Sequence, residues 1–454
     1  MRRKVWLAVS LTLLLVSCAS ILPQNSEPEA SETLEVGQVA EDAEEESAPE
    51  EAESVLPEDN EADSTEPDEQ DQEIVLTVWT TDAVVPTGGQ AGGDILIDQL
   101  ASFDQQFPNI RVDVLTKRLN GTGGILSYLR SAPPVAPGVV PDLVLLDREA
   151  LIQASEDELI FPVGEAFPED EVANWYTVAT DLATVDGQLV GVPYVLDAQH
   201  VVYRASLFSS PPNSFEAALD SPVPFVFPAN SLSTVNHTLL MQYLAAGGLL
   251  ADEEGQTRLS ENVLANVLFF YTQAIEEGNI DGELFALTEN AESWALYREG
   301  RAAFAVVSAS QYLAESEDVR NTQATWVPTF EGNAITLVTG WSWAIVTPDP
   351  DRQQAARDLL TFLMNADNQG EYTEAGSWLP TQPDAFTSWQ NETYADFAHS
   401  LLEAAQLLPS PATLSEIGPP MQDALESVIQ DELDAFQAAR NAVEAVNPSN
   451  TPEP

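Results

Sequence analysis

Acidic, amide and aromatic side chains occur at the ends of several predicted strands, where hydrogen-bonding groups combine with apolar ring faces. A carboxylate or amide can hydrogen-bond a hydroxyl group, and the face of Trp or Tyr suits the C–H surface of a neutral polyol. This mixture predicts reversible binding of a small polar molecule in a cleft. The candidate residues are Thr81, Asp82, Asp147, Tyr194, Asp197, Asn236, His237, Trp341 and Trp343.

Asp197 and Trp341 carry the most specific predictions. Asp197 lies in a polar segment between two predicted strands, where its carboxylate can accept hydrogen bonds from hydroxyl groups. Trp341 follows Gly340, a residue that permits close backbone approach. Trp343 falls on the same side of an extended strand, so one of the two rings can belong to the core. Tyr194 can stack on a ligand or fill an interface. The alternative role of a turn or helix cap applies to Thr81, Asp82, Asp147 and Asn236.

Common catalytic and metal-binding patterns are missing from the sequence. Cys18 is the single cysteine, and the three histidines, His200, His237 and His399, lack the spacing of a zinc site. Residues 120–124 are rich in glycine but are not followed by the Lys of a phosphate loop. We therefore expect no catalytic residue, metal or cofactor. Two alternatives stay open: a surface glycoside hydrolase with paired carboxylates, and a sensor or adhesion module without a transport role.

The amino terminus predicts secretion and attachment to a membrane. Three cations at positions 2–4 precede an apolar run over residues 5–16, which is too short to span a bilayer. The run ends in Leu15-Val16-Ser17-Cys18, which resembles the bacterial lipobox. We expect a signal peptide over residues 1–17 and a diacylglycerol on Cys18, since two acyl chains on one residue anchor a protein stably. The expected location is the outer face of the cytoplasmic membrane, at the cell surface or in the periplasm.

The charge of the chain is strongly negative. It has 16 Lys and Arg against 74 Asp and Glu, which gives a formal net charge of −58 at pH 7. Residues 19–73 contain no Lys or Arg and few large apolar residues, so we predict a disordered acidic linker over residues 18–73. Such a charge repels nucleic acid and anionic lipid, which excludes nucleic acid as a partner. The negative net charge also disfavours an anionic ligand, unless the ligand binds in a local cationic pocket.

Apolar periodicity in the remaining chain alternates between strand and helix. Strand-like segments are 74–79, 110–114, 143–146, 187–194, 201–203 and 335–347, and helical segments are 94–107, 237–246, 352–365 and 420–446. The polar residues 197–200 are predicted to join two separate strands. This alternation implies a largely parallel sheet in an α/β fold. Ligands of such sheets bind beyond the carboxyl ends of the strands.

Several short motifs resemble, in the same order, those of the bacterial extracellular solute-binding family that includes the maltose-binding protein. The resemblance covers nearly all of residues 74–446. The motifs are Leu76-Thr-Val-Trp79, Phe107-Pro-Asn-Ile-Arg-Val112, Pro141-Asp142-Leu-Val-Leu-Leu146, Gly187-Gln-Leu-Val-Gly-Val-Pro193, Val201-Val-Tyr203, Gly300-Arg-Ala-Ala-Phe304, Gly340-Trp-Ser-Trp-Ala-Ile345 and Gly376-Ser-Trp-Leu-Pro-Thr381. The chain departs from the family at Arg204, where Asn is usual, and at Ser310 and Gly418, where the maltose-binding protein has aromatic residues that stack on sugar.

The resemblance implies a two-lobed, periplasmic-binding-protein-like clamp of type II that closes on its ligand. It places lobe 1 in residues 74–195 plus 336–380 and lobe 2 in residues 196–335 plus 381–446, followed by a flexible tail over residues 447–454. Crossovers fall near 195–199, 334–340 and 377–384. The implied function is that of a monomeric substrate-binding lipoprotein, which binds a sugar or oligosaccharide and delivers it to the permease of an ABC importer.

Overall fold

The computed structural model describes residues 73–447, apart from residues 83, 86–89, 132–139, 165–166, 232–233, 253 and 317–318. The predicted signal peptide, Cys18 and the linker up to residue 72 lie outside the described residues, as do residues 448–454 of the predicted tail. Among the described residues, no helix is both long and apolar enough to cross a membrane.

The strands of the described chain begin close to where the apolar runs predict them. They are β1 (Ile74–Thr80), β2 (Ile110–Thr116), β3 (Leu143–Asp147), β4 (Thr184–Val185), β5 (Gln188–Leu189), β6 (Val192–Arg204), β7 (Phe304–Ser308), β8 (Thr322–Thr325), β9 (Thr336–Ile345) and β10 (Ala405–Leu407).

Most of the helices bury apolar residues against the sheet or against one another. They are α1 (Ala91–Gln106), α2 (Ile125–Ser131), α3 (Arg148–Glu156), α4 (Glu169–Val172), α5 (Thr177–Ala183), α6 (Phe215–Leu219), α7 (His237–Ala245), α8 (Glu261–Glu276), α9 (Asn290–Arg298), α10 (Ala309–Glu315), α11 (Pro350–Leu363), α12 (Ala366–Gly376), α13 (Glu392–Glu403), α14 (Pro411–Ile429) and α15 (Ala435–Val446). The predicted helical segment 420–446 is thus two helices, separated at Asp431, which has a positive φ of 57°.

The main sheet has the strand order β2-β1-β3-β9-β6-β7, with β10 beside β9 and β8 beside β6. Strands β1, β2 and β3 are parallel, as the alternation of strands and helices predicts. The sheet as a whole is mixed, because β9 runs antiparallel to both β3 and β6. The expectation of a largely parallel sheet is therefore correct for β1, β2 and β3 and for the pair β9 and β10, but not for the other pairs of the main sheet.

Strand β6 is one continuous strand of 13 residues, so the prediction of two strands joined by a polar segment is wrong. Residues 192–198 pair with β9, and residues 199–204 pair with β7 and β8. Each half therefore has its own hydrogen-bonded neighbours, and the ladder continues through the polar residues. Asp197 and Gln199 consequently lie on a hydrogen-bonded strand rather than in a loop.

A buried ion pair joins the helical layer to the sheet. Asp142, whose exposed fraction is 2%, accepts a hydrogen bond from Arg352 Nε at 2.6 Å and another from the amide of Thr77 at 2.7 Å. Arg352 also donates to the carbonyl of Val75 at 2.8 Å. These bonds hold the start of α11 against β1 and the segment before β3, at the amino-terminal side of both strands.

Candidate ligand-binding site

Strands β6 and β9 present a polar strip on one face of the sheet. Asp197 lies opposite Thr339, and Val195 lies opposite Trp341, which in turn lies opposite Asp147 on β3. Residues directly opposite in an antiparallel ladder share a face, so these side chains lie on one side of the sheet. Thr339 is exposed, and Asp197, Trp341 and Asp147 are partly accessible.

The opposite face of the same two strands is closed. Leu196, Ala198, Val338 and Ser342 are all buried, which is what the period of two predicts when one side of a strand packs on the core. Gly340 also has no room for a side chain, since a Cβ atom there would lie 2.6 Å from the carbonyl oxygen of Val195. The expected close backbone approach at Gly340 is therefore present. It brings β6 and β9 together beneath the polar strip.

Asp197 is held by the start of α10. Its Oδ1 accepts from the amides of Ala198 at 2.9 Å and Ser310 at 3.0 Å, and its Oδ2 accepts from the Ser310 hydroxyl at 2.7 Å. Burial raises the pKa of Asp197, while the hydrogen bonds from Ser310 act in the opposite direction. Oδ2 belongs to a partly accessible side chain, and a carboxylate oxygen has more than one lone pair, so it can accept a further hydrogen bond from a ligand hydroxyl.

Trp341 and Trp343 lie in different surroundings although alternation places them on the same face. Trp341 is partly accessible at the polar strip, whereas Trp343 is 2% exposed. The ring of Trp343 lies 5.5 Å from that of Tyr194, and Tyr194 stacks on Tyr372 of α12 at 4.8 Å between centroids. The structure thus contradicts ligand contact by Tyr194 and Trp343, because α12 covers that part of the sheet and both rings belong to the core.

A pocket of about 250 Å³ lies next to the polar strip. Gln199, two residues beyond Asp197 on β6, is one of its walls, and His237 at the start of α7 is another. Their side chains meet with 2.9 Å between Gln199 Nε2 and His237 Nδ1. The remaining lining is Pro228, Asn230, Ser231, Val235, Asn236, Thr238, Thr288, Glu289 and Asn290.

Asn236 acts mainly as a helix cap, which was the alternative role predicted for it. Its Oδ1 accepts from the amide of Leu239 at 2.9 Å and so caps α7, while its Nδ2 donates to Gln422 Oε1 at 3.1 Å. Asn236 is 4% exposed, so its side chain orients the start of α7. Burial lowers the pKa of the neighbouring His237, which keeps the imidazole neutral at pH 7.

The three candidates at the ends of β1 and β3 lie at one edge of the sheet. Asp147 caps α3 by accepting from the amide of Ala150 at 2.8 Å, and burial raises its pKa. Thr81 is buried, and its carbonyl accepts from the amide of Val85 at 3.0 Å. Asp82 is exposed. The turn and cap roles are thus real for Thr81 and Asp147, although both residues stay at the edge where Asp147 meets Trp341.

Gln199 and Ser310 belong to this site but were not among the sequence candidates. Gln199 has a recognisable signal, because it lies two positions from Asp197 and a continuous strand would place both on one face. Ser310 was noted only as a departure from an aromatic residue of the maltose-binding protein, and its contact with Asp197 joins residues 113 positions apart. Within the described ranges, no group of three or more His, Cys, Asp or Glu is arranged to hold a metal ion.

These residues form a candidate binding surface whose chemistry suits a small, hydroxyl-rich molecule. Carboxylate, amide and hydroxyl groups lie beside one accessible indole ring, and the imidazole of His237 is neutral. The same surface is carried by the mixed sheet of an α/β fold. This combination is typical of proteins that capture solutes.

Comparison with known proteins agrees with this class. The family described as "Bacterial extracellular solute-binding protein" matches residues 99–399, and the chain belongs to this family. No curated protein gives a significant match.

Solved structures show the same two-lobed α/β fold. The maltose-bound MalE3 of T. maritima is 17% identical with a TM-score of 0.60, over 82% of this chain and 99% of that one. The cyclic alpha-maltosyl-1,6-maltose binding protein of Arthrobacter globiformis is 16% identical with a TM-score of 0.65, over 83% and 98%. MalE of Listeria monocytogenes in complex with maltose is 15% identical with a TM-score of 0.64, over 83% and 97%.

Proposed function

We propose that this protein binds a sugar or oligosaccharide and delivers it to an ABC importer. The observation that carries the proposal is the accessible strip of Asp197, Gln199, Thr339 and Trp341, backed by a buried face of the same strands. The carboxylate and amide match sugar hydroxyls, and the indole ring matches a C–H face. The comparison structures with bound maltose or a maltosyl sugar in their names support the same ligand class.

The ligand is enclosed by movement of the two lobes about the predicted crossovers near 195–199, 334–340 and 377–384. Support comes from β6, which changes its partners from β9 to β7 between Ala198 and Gln199. Because Asp197 and Gln199 lie on either side of this change, a small rotation there alters their separation across the site. Small-angle scattering should show a smaller radius of gyration when ligand saturates the protein, and an unchanged radius would indicate a rigid site.

The proposed location is the outer face of the cytoplasmic membrane, with residues 1–17 removed and Cys18 lipidated. The support is the lipobox-like sequence and the acidic residues that follow it. Replacement of Cys18 by Ser should release the protein from the membrane fraction of expressing bacteria. An equal membrane share of the variant and the parent would refute the anchor.

The decisive experiment for the ligand class is calorimetric titration of the purified protein with neutral oligosaccharides, amino acids and polyamines. The proposal expects saturable one-to-one binding of a sugar, and binding of only amino acids or polyamines would refute it. Product analysis after long incubation with the bound sugar tests the glycoside hydrolase alternative. If the protein binds the sugar stoichiometrically but cells that contain the permease do not import it, the sensor or adhesion module is favoured instead.

A further inference from the structure

Lys117 is an unusual residue in this chain. Lysine occurs at only two positions, 4 and 117, in a sequence with 74 acidic residues and a net charge of −58. A lysine in such a chain has many carboxylates available as partners. Lys117 nevertheless forms no ion pair with any carboxylate of the described residues.

Two aromatic rings lie beside the ammonium group instead. Lys117 Nζ lies 5.1 Å from the centroid of the Trp79 ring and 5.7 Å from that of Tyr128. The two rings meet edge to face at 5.8 Å. Trp79 is 4% exposed and belongs to the core, whereas Tyr128 is 42% exposed and offers part of its surface to solvent. The cluster therefore has one open aromatic side next to a cation.

The cluster contains hydrogen-bond donors but lacks a matching acceptor. The indole N–H of Trp79 is buried and has no acceptor among the described residues. The ammonium of Lys117 carries three donors, and the ring faces satisfy it only by cation–π attraction. An anionic group placed against Lys117 can accept hydrogen bonds from the ammonium group, whereas the Trp79 N–H is buried and out of reach of a ligand.

Lys117 is located at the same sheet edge as the proposed sugar site. It follows β2, and its amide donates to the carbonyl of Thr80 at the end of β1 at 2.7 Å. Strand β2 lies three strand positions from β9, which carries Trp341, so the two strands are about 14 Å apart at the usual strand spacing. Trp79 packs on one face of the sheet and Trp341 on the other, so the two groups approach each other only across the carboxyl-terminal edge. A ligand that reaches both Trp341 and Lys117 must be longer than one sugar ring.

Nearby charges determine whether an anion binds at Lys117, because salt screens the distant acidic residues. The Debye length is about 8 Å at physiological ionic strength, so most of the net charge of the protein acts weakly on a group bound at Lys117. A contact at hydrogen-bond distance is screened much less. The overall acidity of the chain therefore does not prevent one anionic group from binding at this position.

We propose that the ligand is an acidic oligosaccharide, whose carboxylate or sulfate pairs with Lys117 while a sugar ring lies on the open side of Tyr128. The rest of the oligosaccharide passes over the carboxyl-terminal edge of the sheet toward Trp341. This inference rests on the proposed function and adds to it the charge and minimum length of the ligand. It assigns Lys117 and Tyr128 to the site, neither of which has a role in the polar strip.

Calorimetric titrations of the purified protein with three trisaccharides test the proposal: a neutral glucose trisaccharide, a galacturonate trisaccharide and a sulfated neutral trisaccharide. We expect at least one anionic sugar to bind about tenfold more tightly than the neutral one, the factor typical of a hydrogen bond to a charged group. The arm that binds more tightly identifies the anionic group as carboxylate or sulfate.

Variants separate this role from simple packing. Lys117→Met keeps an apolar stem over Trp79 and should weaken the anionic sugar about tenfold, with less than a twofold effect on the neutral one. Arg118→Met removes the same charge from the adjacent exposed residue and is the matched control, expected to change neither. Equal affinity for neutral and anionic sugars, or an equal loss of affinity in the two variants, would overturn this inference but not the proposed function. If none of the sugars binds, the proposed function fails with it.

Discussion

Asp197 offers the sharpest test because it has a structural and a proposed binding role that two substitutions can separate. Replacement by Ala removes the acceptor of three donors, namely the Ala198 amide and the amide and hydroxyl of Ser310. Hydrogen bonds to charged groups contribute about 1.5–3 kcal/mol each. Part of this is offset, since burial raises the pKa of Asp197 and the folded state therefore disfavours its charge. We expect Asp197→Ala to lower the free energy of unfolding by about 2–3 kcal/mol.

Asp197→Asn should preserve the fold. The amide oxygen replaces Oδ1 and still accepts from both backbone amides, and the Ser310 hydroxyl can turn to accept from the new NH₂ group. The expected change in the free energy of unfolding is below about 1 kcal/mol. Sugar binding should nevertheless weaken by about 1.5–3 kcal/mol, or roughly 10-fold to 100-fold, because the ligand hydroxyl loses a charged acceptor.

Urea unfolding followed by circular dichroism measures the first effect, and calorimetric titration of the Asn variant measures the second. Equal stability of the Ala variant and the parent would show that the contacts with Ser310 contribute nothing to folding. A well-folded Asn variant that binds sugar as tightly as the parent would remove Asp197 from the recognition site.

Three further predictions address other parts of the structure. Trp341→Ala should weaken sugar binding by about 1–3 kcal/mol through loss of ring burial, and unchanged affinity in a titration would contradict its role. Arg352→Met should lower the free energy of unfolding by about 2–4 kcal/mol in urea because it leaves the buried carboxylate of Asp142 unpaired, and adding Asp142→Asn should restore part of this loss. Burial lowers the pKa of His200 from 6.5 to about 4. Between these pH values His200 is therefore protonated in the unfolded chain and neutral in the folded chain. The stability that His200 contributes above pH 6.5 should fall by about 3 kcal/mol toward pH 4, and His200→Gln should remove this part of the pH dependence of urea unfolding; an unchanged slope would contradict it.

Local sequence patterns were sufficient to predict the strands that begin the fold. The runs at residues 74–79, 110–114 and 143–146 have the alternating or continuous apolar character of half-buried and buried strands, and β1, β2 and β3 lie there. Side-chain alternation in a strand involves only a few neighbouring residues, so it is visible in the sequence as a local pattern. The order of short motifs likewise indicated the family that the match to residues 99–399 establishes.

Alternation also predicted that Trp341 and Trp343 share a face, but only the tertiary structure decided which ring is accessible. Their difference depends on α12, whose Tyr372 packs on Tyr194 beside Trp343. A period of two reports the side to which a residue points and contains no information on what covers that side. For the same reason the sequence left open whether Tyr194 stacks on a ligand or fills an interface, and the structure places it in the core.

The continuity of β6 and the anchoring of Asp197 were likewise decided by distant parts of the chain. The polar residues 197–200 are typical of a loop, yet β9 and β7 pair with this segment from more than 100 positions away and keep it extended. Ser310 then reaches Asp197 across 113 positions. The amino-acid sequence by itself determined the local strands, the helices and the chemical types at the site. Long-range pairing determined their arrangement, because the free energy of a β ladder and of buried contacts depends on which remote segments meet.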